Sequence, residues 1–111
     1  MKAYGIGILG EVTMGPPIVE YLERIDATLS PYGGRFIVHG ARPHVVEGED
    51  PGVMVVLEFP DLAAAEDWYH SPAYQAILPL RTENTSSTTF IVAGVGPDHR
   101  ATDVLDRSAA G

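Results

Sequence analysis

The stretch VMVVLEFP, residues 53–60, decides the fold. In an extended chain Val53, Val55, Leu57 and Phe59 point one way, and Met54 and Val56 point the other. A strand that is apolar on both faces belongs in the middle of a sheet. The preceding GEDPG, residues 48–52, is a turn cluster. It joins the central strand to RFIVHGARPHVVE, residues 35–47, as an antiparallel hairpin whose first arm carries a bulge or kink from Gly40 to Pro43.

Working outward, the period changes on both sides of this hairpin. Downstream, Asp61 caps a helix over LAAAEDWYH, and Ser71 with Pro72 opens a second helical piece over AYQAILPLRTE, so this helix is bent or split near residue 71. The β-branched run SSTTFIVAGV, residues 86–95, reads as the last strand. Upstream, AYGIGILG, residues 3–10, is a first strand. Ile18, Leu22, Ile25 and Leu29 then mark the apolar stripe of a helix over residues 16–31, with Pro16 or Pro17 in its first turn. Gly33 and Gly34 end that helix, because a left-handed residue there suits glycine. They are not a phosphate cradle, which needs its glycines between a strand and a following helix.

The order strand, helix, strand, strand, helix, strand predicts an α+β chain of the ferredoxin-like βαββαβ type. Four antiparallel strands form one sheet, with both helices on one face. The opposite face then carries Met54 and Val56, which water does not cover well, and a second copy of the chain is the simplest cover. One domain is expected over residues 1–95, followed by a flexible tail over 96–111 that has no sustained apolar pattern.

Composition excludes several classes of function. Fifteen acidic residues against seven basic ones give a formal charge of -8, and no cluster of Lys or Arg exists to displace counterions from nucleic acid or to bind an anionic membrane. The absence of cysteine removes thiolate chemistry and Cys-type zinc sites. The histidines at 39, 44, 70 and 99 lack a metal-binding spacing, so no metal is expected. No dinucleotide fingerprint is present, and no cofactor is expected. The opening residues do not read as a secretory leader and no run is long enough to span a bilayer, which predicts a cytoplasmic location.

The tracts YGGRFIVHG, VVLEFP and WYHSPAYQAILPLR resemble those of the domain of unknown function 1330 family, over about residues 3 to 95. That family lies in the dimeric α/β-barrel superfamily, which also contains the antibiotic biosynthesis monooxygenases. The resemblance implies a homodimer in which two sheets close into a barrel. It assigns no reaction to Tyr32, Gly33, Gly34, Trp68, Tyr69, Tyr74 or Arg81, the positions that match its recurrent pattern.

Two groups of residues are candidates for chemistry. Alternation along the hairpin sends Arg35, Ile37 and His39 to the barrel side with Met54, Val56 and Glu58. There His39 is a candidate general base, Glu58 its orienting carboxylate and Arg35 an anion clamp; the plainer alternative is an Arg35–Glu58 ion pair across the strands. The second group, Tyr32, Trp68, Tyr69, Tyr74 and Arg81, has aromatic rings suited to a pocket between helices and sheet, or equally to the core. Arg81 also suits the end of its helix, or a pair with Glu66 or Glu83. The expected function is a homodimer that handles a small organic molecule, as a cofactor-independent enzyme using acid–base chemistry or oxygenation. The alternative is a non-catalytic ligand-binding or structural dimer.

Overall fold

A computed structural model of the protein describes residues 1–105. Its elements are β1 (Ala3–Val12), α1 (Pro16–Leu29), β2 (Arg35–Ala41), β3 (Val53–Phe59), α2 (Leu62–His70), α3 (Pro72–Thr82) and β4 (Thr85–Ala93), with a short 3-10 turn at Ser30–Tyr32. Among the described residues the strands form one antiparallel sheet in the order β2-β3-β1-β4. This is the ferredoxin-like arrangement that the sequence predicts.

Local chemistry explains most boundaries. Pro16 and Pro17 lie in the first turn of α1, where a missing amide proton breaks no bond. Gly33 ends the 3-10 turn at φ 68, a left-handed shape that costs a residue bearing a Cβ. At its neighbour Gly34 the constraint is space. A Cβ there would fall 2.6 Å from Phe59 Cε1 and 2.8 Å from Leu29 Cδ2, so only glycine lets α1 turn back onto the sheet so closely. The Asp61 carboxylate accepts the Ala64 amide at 2.7 Å and starts α2. Ser71 then ends α2 and begins α3: its hydroxyl donates to the Trp68 carbonyl at 2.7 Å and accepts the Tyr74 amide at 3.2 Å.

Two expectations need correction. The stripe of α1 buries Tyr21 rather than Leu22, which is 41% exposed. The second strand stops at Ala41 instead of reaching residue 47. Beyond it Pro43 has no amide proton to offer a ladder, and Arg42 bonds Asp50 at 3.1 Å to close the loop between β2 and β3. In the expected tail, residues 96–105 carry turn hydrogen bonds, including Leu105 N–H to Thr102 O at 3.0 Å. Residues 106–111 lie outside the described chain.

The core lies between the helices and one face of the sheet. Ala3, Leu57 and Phe59 from the strands meet Tyr21, Ile25 and Leu29 from α1, with Trp68, Tyr74 and Ile77 from α2 and α3. Among the described residues α1, α2 and α3 all pack on that one face, and the opposite face has none of them over it. Register aligns Val56, Ile6 and Phe90 in one row across three strands, with Glu58, Tyr4 and Val92 in the next. Phe90 and Val92 are each 44% exposed.

Candidate functional site

The pairing of β2 with β3 places the candidate residues. Arg35 faces Glu58 and Phe36 faces Leu57, but Val38 then faces Val56 and His39 faces Val55. Ile37 is therefore an extra residue on β2. A second irregularity follows between His39 and Ala41, where Gly40 takes φ 86. One inserted residue inverts every side chain after it. The bulge at Gly40 matches expectation, whereas the one at Ile37 has no glycine or proline to announce it.

The consequence is that the expected trio of Arg35, His39 and Glu58 is split between two faces. Arg35 stays on the uncovered face and donates to Glu58 Oε1 through Nη2 at 2.9 Å and Nε at 3.2 Å, while Lys2 Nζ reaches the same oxygen at 3.1 Å. Hydrogen bonds from Lys2 first and Arg35 second hold the Glu58 carboxyl below its ordinary range. Glu58 is thus taken up by two cations and does not orient His39. His39 turns to the helix side and stacks on Phe36, with ring centroids 4.1 Å apart and planes 19° from parallel.

On that side a cavity of about 460 Å³ opens between helices and sheet. Its floor includes Gly5 and Gly7 of β1, flanked by Val55 and Leu57 of β3 and by Thr89 and Ile91 of β4. The missing side chains make the room. A Cβ on Gly7 would make ordinary contact with Thr89 Cγ2 at 3.5 Å, and one on Gly5 with Phe59 Cε2 at 3.6 Å. Glycines inside a strand are the sequence signal for such space, and GIG at residues 5–7 carried it unread. Ile18, Tyr21 and Ile25 of α1, with Trp68 and Tyr74, form the helical wall.

Of the expected ligand-binding set, Trp68, Tyr69, Tyr74 and Arg81 all line this cavity, and Tyr32 does not. Tyr32 packs against the edge of the core instead. Trp68 and Tyr74 serve the core as well, with ring centroids 4.1 Å apart, and the indole N–H of Trp68 is satisfied by Thr28 Oγ1 at 3.0 Å. The cavity also has polar ground. The hydroxyls of Tyr21 and Tyr74 are 2.8 Å apart, and burial, reinforced by Tyr74, pushes the Tyr21 phenol far above its ordinary value. Arg81, 8% exposed, donates from Nη1 to Ser87 Oγ at 2.9 Å. The expected pair with Glu66 or Glu83 does not form. His39, Glu66 and His70 add exposed polar groups to the lining.

Such an enclosure can hold a small apolar body and meet a polar group on it, with imidazoles at hand for proton transfer. Among the described residues, no group of three or more His, Asp or Glu side chains is placed to hold a metal ion. Nor is any described helix long and apolar enough to cross a membrane.

The model of a family described as Domain of unknown function (DUF1330) matches residues 2–95. No curated protein matches the sequence. Among solved structures, a protein of unknown function from Rhodopseudomonas palustris is 14% identical, with a TM-score of 0.66 over 86% of this chain and 84% of that one. A dimeric ferredoxin-like protein of unknown function from Jannaschia sp. CCS1 is 15% identical, with a TM-score of 0.62 over 85% of this chain and 100% of the other. SnoaB, a cofactor-independent oxygenase from Streptomyces nogalater, is 9% identical at a TM-score of 0.51, covering 89% of this chain and 96% of its own. At these identities the likeness is one of fold.

Proposed function

The chain belongs to the domain of unknown function 1330 family, and from that premise we propose that it is a homodimer that binds a small, largely apolar organic molecule between its helices and sheet. The observation that carries the reading is the cavity of about 460 Å³ held open by Gly5 and Gly7. A closely packed interior of this size would ordinarily fill such a space with side chains. Ligand sites have this character: concave, apolar and furnished with a few polar groups. The dimer is supported by the uncovered apolar row Val56, Ile6 and Phe90, and by the structural neighbour described as dimeric.

Trp68 is the single tryptophan and lines the cavity, so its emission reports occupancy. Titration with bromobenzene, a neutral apolar heavy-atom quencher, is expected to quench Trp68 saturably at one site per chain. Quenching that rises linearly with concentration, as collisions give, rules the binding reading out.

Catalysis is the second reading, favoured by the bulge at Ile37 that turns His39 toward the cavity. The fold shared with a cofactor-independent oxygenase is compatible with it. His39 would accept the proton of a C–H bond of an electron-rich substrate. The carbanion would give its electron pair to dioxygen, the oxidant, forming a C–O bond, and the proton held by His39 would return to the distal oxygen to give a hydroperoxide. Turnover measured with an oxygen electrode is then expected to be lost in His39→Ala, while bromobenzene quenching stays within about threefold of the unmodified protein. An unchanged rate in that variant removes His39 from the chemistry.

A further inference from the structure

Among the described residues, four exposed cations near the sheet, α1 and the β2–β3 loop are paired, while a buried one is not. Lys2, Arg24, Arg35 and Arg42 each have a carboxylate within 3.1 Å, although their side chains are half exposed or more. Arg81, nine-tenths buried, forms no ion pair among the described residues, in a chain with 15 acidic side chains. Water compensates the exposed charges unaided, whereas a buried guanidinium needs a partner. Its protein neighbours are neutral: Ser87 Oγ at 2.9 Å, and the Tyr21 and Tyr74 hydroxyls close enough to act on it. Its place in the last turn of α3 adds only the partial charge of a helix end.

We propose that the ligand of this cavity is an amphipathic carboxylate, whose carboxylate group pairs with Arg81 and whose apolar body lies along Ile18, Ile25, Val55 and Leu57. This deepens the binding reading above and rests on it. A guanidinium presents parallel N–H donors that match the two oxygens of a carboxylate. The tyrosine pair adds a donor. Two hydroxyls carry two hydrogens, and their mutual bond at 2.8 Å consumes one, leaving one to point at an anion. One cation matches a monoanion, and with no buried carboxylate among the described residues an amino group on the same ligand would go unpaired. The apolar walls suit a hydrocarbon or aromatic remainder.

Calorimetry at neutral pH with octanoate and with 1-octanol, which share a chain and differ in charge, tests the assignment. Octanoate is expected to bind the unmodified protein at least tenfold more tightly than 1-octanol. In Arg81→Met that preference should vanish, with 1-octanol affinity and bromobenzene quenching within about threefold of the original. Arg81→Lys keeps the charge without the fork and should fall between the two, which preserves the test if the methionine variant does not fold. Equal affinities for the two probes, octanoate failing where bromobenzene binds, or a preference that survives in Arg81→Met each overturn the carboxylate assignment and leave the cavity reading standing. If octanoate, 1-octanol and bromobenzene all fail to bind, both readings fall together.

Discussion

The double variant Gly5→Leu/Gly7→Leu is expected to stay folded and to lose saturable bromobenzene quenching of Trp68, with affinity reduced at least tenfold. Both glycines lie on the cavity floor, and the first carbon of a new side chain meets its neighbours at 3.5 Å or more. The rest of each leucine has the cavity ahead of it. Burying two such side chains contributes about 1.5–3 kcal/mol each, and replacing a strand glycine adds about 0.5–1 kcal/mol. Overpacking opposes this by about 1–3 kcal/mol. The melting temperature should therefore hold or rise while the site disappears. Gly7→Ala is the control, since a lone methyl leaves most of the space and should bind within about threefold of the unmodified protein. A folded double variant that binds as before would put the ligand elsewhere and end the cavity reading.

The second large effect concerns assembly. The unmodified protein is expected to sediment at about twice 11.9 kDa at micromolar concentration, and Val56→Lys at the mass of one chain, with its circular dichroism unchanged. Val56 is paired with Ile6 on one side and Val38 on the other, at the middle of the uncovered face. In a single chain a lysine there extends its ammonium into water. In a twofold interface the same residue is buried from both copies, and desolvating each charge costs several kcal/mol. That amounts to roughly a hundredfold or more in the dimer dissociation constant. A lone, well-folded 11.9 kDa particle from the unmodified sequence would remove the homodimer reading.

Legibility differed between the fold and the site for a physical reason. Pro16, Gly33, Asp61 and Ser71 act on the backbone within one or two turns of themselves, and each marks the boundary its chemistry predicts. The aromatic cluster of α2 and α3 was also readable as a group. Trp68, Tyr69 and Tyr74 are close in sequence, and the turn at Ser71 that joins α2 to α3 keeps them close in space. Arg35 and Glu58 meet as the plainer reading held, in an ion pair across the strands. His39 was misplaced because alternation counts residues along one strand, whereas the face a residue occupies depends also on the partner strand. With Ile37 bulged out of the β2–β3 ladder, the count is wrong by one from there on.

By itself, then, the order of residues determined where elements start and stop, which of them alternate, and that one strand is apolar on both sides. From these came the βαββαβ order and the four-stranded sheet. Tertiary structure alone decided that His39 faces the helices, that Gly5 and Gly7 lie beneath a cavity, and that Arg81 is buried with no carboxylate paired to it among the described residues. These three facts depend on what lies opposite a residue across a strand or a layer. Such neighbours come from parts of the chain 16 to 63 positions away, as with His39 and Val55, Arg81 and Tyr21, or Gly5 and Trp68. Local propensity carries no information over such separations; pairing and packing do.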